Sequence, residues 1–128
     1  DVELSLTPVS EIESSEFVRL EADTPLHAAQ QALIAAQATE AYVCDASDRL
    51  IGKVDIHGLA QASSLDQAID RMPILLQADD RLTQAMTTAS NFVGESIPVV
   101  HQGRLVGALS EGDIFNKVLQ IQASLRQQ

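Results

Sequence analysis

Apolar and polar residues follow two different periods along this chain, one helical and one extended, and the two periods come round twice in the same order. A short helical stretch opens each half, over about Val9 to Glu13 and again over Leu65 to Arg71. A short extended piece follows it, Phe17 to Leu20 and then Ile74 to Leu76. The main helix comes next. In the first half, apolar residues run almost unbroken from Leu26 to Ala38, and the polar ones, His27, Gln30, Gln31 and Gln37, fall on one side. Thr24 is the expected N-cap of this helix and Pro25 its first residue, where the missing N–H costs nothing; Asp79 or Asp80 is the expected cap of its counterpart. Two extended runs rich in β-branched residues follow in each half: Ala41 to Cys44 and Leu50 to Val54, then Ile97 to Val100 and Leu105 to Leu109. A helix closes each half.

The repetition keeps a register. Leu82 lies 56 positions after Leu26, and Leu65 lies 56 after Val9. The spacing drops to 55 between Gly52 and Gly107, because Asp45-Ala46-Ser47-Asp48 is answered by the shorter His101-Gln102-Gly103. Insertions and deletions belong in turns, so the register survives. The order helix, strand, helix, strand, strand, helix, twice over, predicts an α/β (α+β) fold with repeat 1 and its lead-in at 1–63 and repeat 2 with a C-terminal helix at 64–128. At 128 residues and 45% apolar content the chain fits one domain. Each half alone is near the lower size limit for folding, so the halves are expected to share one core.

Charge narrows the partners. A net charge of -10 and a pI near 4.4, with only eight Lys and Arg, exclude nucleic acid or an anionic membrane surface as the main partner. No apolar run approaches the ~20 residues of a membrane span and no signal-peptide succession is present, so the chain as given is expected to be soluble. The single cysteine, Cys44, reads as a small buried hydrophobe in a strand with no cation beside it.

Catalytic chemistry finds no support in the motifs. His27 falls on a helix, His101 in a turn, and neither they nor His57 show metal-ligand spacing. There is no nucleophile elbow, phosphate loop or zinc-protease pattern, so no enzyme activity and no metal site are expected.

The chemistry that does stand out is at Ser110-Glu111-Gly112-Asp113, just after the apolar run Leu105 to Leu109. A hydroxyl and a carboxylate at a helix start can bond the two hydroxyls of a ribose while the first-turn N–H groups attract a phosphate. The same four residues also read as a capping box, with Asp113 one methylene short of the usual Glu. Repeat 1 carries Asp55-Ile56-His57-Gly58 at this place. Asp55 can still cap, but Gly58 removes the carboxylate and the charge of Asp55 repels a phosphate, so this corner is expected to bind no nucleotide.

The residues Val9-Ser10-Glu11-Ile12, Phe17-Val18-Arg19-Leu20, Asp23-Thr24-Pro25-Leu26, Ser96-Ile97-Pro98-Val99-Val100 and Gly107-Ala108-Leu109-Ser110-Glu111-Gly112-Asp113-Ile114 resemble a pair of CBS domains, the Bateman module, over nearly the whole chain. The resemblance implies two repeats packed as a pseudo-twofold pair, each with a small sheet and flanking helices. It further implies two clefts, each joining the corner of one repeat to the early strands of the other. The ligand residues it implies are Ser110, Asp113 and Leu109 with Val18, Thr39, Glu40, Ala41 and Tyr42, and a degenerate second site at Asp55, Gly58, Ile97 and Pro98. Tyr42 stands where the family has proline, and Glu40 adds a negative charge to the rim. AMP or another adenosine compound is therefore expected over ATP.

Members of that family regulate an attached protein, so the resemblance implies a non-catalytic regulatory domain. It implies a homodimer formed through helices and a cytoplasmic location as part of a larger host, with a ClC-type chloride channel first and other membrane transporters next. A start at Asp1 without initiator methionine and a polar ending from Ser124 to Gln128 fit a C-terminal piece of such a host. The alternative is a purely structural dimerisation or interaction domain with no small-molecule ligand. Ile34 bears on it: about 100 degrees per residue puts Ile34 on the polar side of its helix, facing away from the core, where repeat 2 has Ser90.

Overall fold

The computed structural model describes residues 6–14, 16–89 and 96–126, and the expected counterpart of Ile34, Ser90, lies outside them. Among the described residues a 3-10 turn at Val9–Glu11 is followed by β1 (Arg19–Glu21), α1 (Leu26–Ala36), β2 (Glu40–Cys44), β3 (Leu50–Asp55), α2 (Ile56–Gln61), α3 (Leu65–Ala68), β4 (Leu76–Gln77), α4 (Leu82–Ala89), β5 (Ile97–His101), β6 (Arg104–Leu109) and α5 (Glu111–Arg126). The strands form two sheets of three, ordered β1-β2-β3 and β4-β5-β6. β2 runs parallel to β1 and antiparallel to β3, and β5 runs parallel to β4. The middle strand of each sheet is covered on both faces: Ala41 to Cys44 and Ile97 to Val100 are all buried. That is why both read as unbroken apolar runs rather than as alternating ones.

The expected one-residue difference between repeats is visible in its turns. Gln102 and Gly103, with φ of 54° and 82°, make the two-residue hairpin between β5 and β6. In repeat 1 the longer turn is held by Asp45, whose Oδ1 accepts from the N–H groups of Ser47 (2.8 Å) and Arg49 (3.0 Å).

Packing divides the chain differently from the sequence repeats. One compact unit comprises 17–73 with 102–105, and the other 1–16 with 74–101 and 106–128. Each repeat's lead-in is thus built into the unit that carries the other repeat's strands. In the second unit, Val9 joins a buried cluster with Leu76, Leu82, Ile97, Val99, Leu109 and others. In the first, its counterpart Leu65 joins Leu20, Leu33, Ala41, Val43, Val54 and Leu59. Where one shared core is expected from chain length, the described buried residues form a cluster in each unit, and each cluster takes in one exchanged lead-in.

The same backbone bridge fixes both lead-ins. Ser14 donates to the Ala108 carbonyl (2.7 Å) and accepts from the Ala108 N–H (2.9 Å). Asp70 donates to the Lys53 carbonyl (2.8 Å) and accepts from the Lys53 N–H (3.0 Å). The residue before each strand partner is glycine. A Cβ on Gly52 would run into the Asp70 carbonyl and lie 2.5 Å from Ile69 Cγ2, and one on Gly107 would lie 2.8 Å from Glu13 Cδ.

Several local expectations need correction. Pro25, with ψ of 147°, is the N-cap residue of α1 rather than its first residue, and no side chain caps the helix; Thr24 instead closes a turn by donating its N–H to the Glu21 carbonyl (3.1 Å). Asp80 is turned back to accept from Gln77 N–H (2.8 Å), leaving α4 to begin after Arg81, whose N–H is taken by Gln84 Oε1 (2.8 Å). The opening helices are short because the chain must straighten early to make the bridges at Ser14 and Asp70. His101 is the exposed last residue of β5 rather than a turn residue. Cys44 is buried as expected, but Arg19 lies beside it; burial still outweighs that cation and pushes the thiol up.

Three glycine substitutions separate close approach from conformational freedom. Gly52→Ala, which must displace backbone, is expected to destabilise the fold by about 1–3 kcal/mol. Gly103→Ala, in open space at positive φ, is expected to cost about 1–2 kcal/mol. Gly112→Ala, in α5 with nothing nearer than Ser110 Oγ at 3.7 Å, is expected to stabilise by up to about 1 kcal/mol. Urea unfolding of the three variants checks the order.

Candidate functional site

β6 delivers the corner. Gly107, Ala108 and Leu109 are buried, and the chain turns directly into α5, leaving Ser110 and Asp113 half-buried at the helix start. Their side chains form a reciprocal capping box: Asp113 N–H donates to Ser110 Oγ (3.1 Å) and Ser110 N–H donates to Asp113 Oδ2 (2.9 Å). The box does not exhaust either group. A hydroxyl keeps its own proton and a second lone pair, and a carboxylate keeps an oxygen free of that bond, so the corner can cap and still accept hydroxyls.

Asp113 also lines a polar cavity of about 220 Å³ with Glu11, Ile12, Asn116, Lys117 and Gln120. Positions 113, 116, 117 and 120 share one face of α5, at the i, i+3, i+4, i+7 spacing of adjacent turns. A cation stands close by: Lys117 is one turn beyond Asp113 on the wall of the same cavity. The spacing Asp-x-x-x-Lys was readable in the sequence, but the position of Glu11 and Ile12 depends on the lead-in exchange and was not.

The equivalent corner of repeat 1 is different chemistry. Asp55 caps α2 by accepting from Gly58 N–H (2.6 Å), and Gly58 offers no side chain. Val18, Thr39, Glu40, Ala41 and Tyr42 gather in this same unit. Tyr42 N–H donates to the Val18 carbonyl (2.9 Å), Thr39 carbonyl accepts from Ile56 N–H (2.8 Å), and Glu40 is the register partner of Asp55. Glu40 is not a bare charge on a rim: its Oε2 is 2.8 Å from Lys53 Nζ, and the two side chains are only 16% and 12% exposed. Tyr42 is 1% exposed with its ring edge against Phe17, centroids 5.6 Å apart, which makes it a core residue. Ala41, Leu109, Ile97 and Pro98 are buried too. Of the residues expected at a ligand, those with accessible side chains are Ser110, Asp113, Val18, Thr39, Glu40 and Asp55.

An apolar groove of about 260 Å³ lies between α4 and α5, lined by Met86, Ala89, Glu111, Ile114, Phe115 and Val118. Phe115 is 63% exposed, and Ile34, on α1, is 59% exposed, as its helical position indicated. His27, His57 and His101 are exposed. No group of three or more His, Cys, Asp or Glu that could hold a metal occurs among the described residues. No helix among them is long and apolar enough to cross a membrane.

Residues 65–120 match the family model described as CBS domain. No curated protein matches the chain in sequence. Among solved structures, the chain is similar to CBSX2 of Arabidopsis thaliana in complex with AMP, at 19% identity over 91% of this chain and 98% of that one, with a TM-score of 0.79. The CBS domain pair of protein MJ0100, in complex with 5′-methylthioadenosine and S-adenosyl-L-methionine, superposes over 88% of this chain and 96% of its own at 20% identity and a TM-score of 0.72. The soluble part of a magnesium transporter matches over 93% of this chain and 50% of its own, at 18% identity and a TM-score of 0.80. Each of these likenesses rests on two three-stranded sheets with flanking helices. Residues 65–120 thus carry the match to the CBS domain, and the chain as a whole has the fold of a tandem CBS pair.

Proposed function

We propose that the chain is a non-catalytic regulatory module that binds one adenosine-type ligand at the Ser110 and Asp113 corner. The observation that carries the reading is the shared wall of the polar cavity, where Asp113 and Lys117 stand one helical turn apart. In this reading Asp113 accepts ribose hydroxyls and Lys117 offsets a phosphate. The adenosine compounds held by two structures of the same fold support the ligand class.

Charge sets the preference within that class. One lysine faces a phosphate, while Glu11 and Asp113 line the same cavity and the chain carries a net charge of -10. A monophosphate is matched by the lysine; each further phosphate meets carboxylates. AMP is therefore favoured over ADP and ATP, with an affinity in the micromolar range, about -8 kcal/mol. The Asp55 and Gly58 corner takes no nucleotide, since Gly58 lacks the carboxylate that Asp113 supplies and Asp55 puts a negative charge where a phosphate would sit.

The regulated partner is a membrane transport protein, on the cytoplasmic side, in keeping with the magnesium transporter whose soluble part shares the fold. A ClC-type chloride channel is one such host. The second reading, an interaction module that dimerises through its helices, is favoured by the exposed Phe115 beside the apolar groove and by exposed Ile34.

Calorimetric titration with adenosine, AMP, ADP and ATP tests both readings. One site per chain with AMP bound most tightly is the expected result. Asp113→Asn, which keeps an acceptor for the Ser110 N–H, should weaken AMP by at least tenfold. Lys117→Ala should bring AMP down to the affinity of adenosine. Asp55→Ala should lower stability by about 1 kcal/mol through its lost cap and leave binding intact. Two equivalent sites, or binding indifferent to Asp113, would contradict the proposal; no binding at all would favour the interaction module.

A further inference from the structure

The segment that bridges Ser14 to Ala108 carries a group that does not suit its place. Glu13 lies over Gly107, and its Oε2 is buried with no hydrogen-bond partner among the described residues. The corresponding position in repeat 2, 56 residues on, is Ile69, whose Cγ2 packs over Gly52 in the same way and adjoins the buried cluster of its unit. A carboxyl therefore occupies a seat that the fold elsewhere gives to a hydrocarbon.

A neutral carboxyl fits such a seat far better than a carboxylate, because the charged form loses water on the buried oxygen and gains no donor. We propose that Glu13 is a proton-operated latch on the lead-in: protonated, it lies against β6 at little cost; ionised, it weakens the Ser14–Ala108 bridge. Burial raises its pKa above the ordinary carboxylate value, and no charged neighbour contributes to the shift.

The surroundings agree. On the lead-in itself Glu11 and Glu16 are exposed. β6 presents Val106, Gly107, Ala108 and Leu109 at this point, none of which titrates. On α5, Glu111 is exposed, Asp113 is held by the Ser110 N–H, and Lys117 lines the cavity with Glu11. Between β4 and α4, Asp80 accepts from Gln77 N–H, and Arg81 donates to the Leu6 carbonyl (2.8 Å), farther back along the lead-in.

The sign follows from the raised folded-state pKa. The stability that Glu13 contributes is fully present below its unfolded pKa and is lost as pH rises through its folded pKa. Acidification through the upper carboxylate range thus tightens the lead-in. Since Glu11 and Ile12, the two preceding residues, line the Asp113 cavity, the latch acts on one wall of that cavity.

The test needs no ligand. Urea unfolding of the full chain is measured from pH 4 to pH 8 for the wild type, Glu13→Gln and Glu13→Ile, together with a site-resolved titration of the Glu13 carboxyl by 13C NMR in the wild type. Both variants should gain on the wild type as pH rises, by roughly five- to hundredfold in the unfolding equilibrium constant at neutral pH. Amide protection at Ser14 and Ala108 should fall with pH beyond the intrinsic exchange rate in the wild type and not in Glu13→Gln. A Glu13 carboxyl titrating at or below the ordinary value, or parallel pH profiles for wild type and Glu13→Gln, overturns the latch. The NMR titration decides the matter even if a variant fails to fold.

Discussion

The fold depends on one close approach made twice. In each unit a lead-in lies close over a glycine of the third strand: the Asp70 carbonyl leaves no room for a Cβ at Gly52, and the Glu13 side chain fills that space at Gly107. The neighbouring residues, Lys53 and Ala108, then exchange both backbone hydrogen bonds with Asp70 and Ser14. Four otherwise orphaned backbone groups are satisfied at each bridge, and a side chain upstream, Leu65 or Val9, is brought down into the core. Small three-stranded sheets have little apolar area of their own. Exchanging lead-ins adds a buried residue to each cluster without lengthening the chain.

That exchange also builds the candidate site. Asp113 and Lys117 come from α5, but Glu11 and Ile12 come from the lead-in that reaches β6 through the Ser14 bridge. At the start of α5 the capping box satisfies backbone groups and leaves Ser110 and Asp113 further hydrogen-bonding capacity, whereas in repeat 1 Asp55 keeps the cap and Gly58 has no side chain. The Glu40–Lys53 ion pair belongs to the same divergence: Ser96 and Ala108 hold the corresponding places in repeat 2, so repeat 1 carries a mostly buried pair where repeat 2 carries small residues. The two repeats share a backbone and differ in the side chains at their corners.

Periodicity and spacing made the element order, the repeat register and the strand cores legible, because buried middle strands and helix faces leave strong apolar signatures. The capping box and the Asp55 cap were legible for the same reason: both are local, within four residues. What sequence patterns did not convey was long-range. Pro25 as the cap and Asp80 as a turn residue depend on which side of a polar residue the helix dihedrals begin, a choice made by tertiary turns. The burial of Tyr42 and the pairing of Glu40 depend on cross-strand neighbours. The lead-in exchange was hidden because equivalent residues look alike whichever unit they join; the paired glycines at 52 and 107 were its only trace.

Removal of the lead-in tests the exchange most directly. Amide exchange by NMR on a chain lacking residues 1–16 should show loss of protection in β5, β6 and α5, with β1, β2 and β3 still protected, and a peptide of residues 1–18 added in trans should restore the lost protection. Full protection of β5 and β6 without the lead-in, or loss of protection in β1 to β3 instead, would contradict the account.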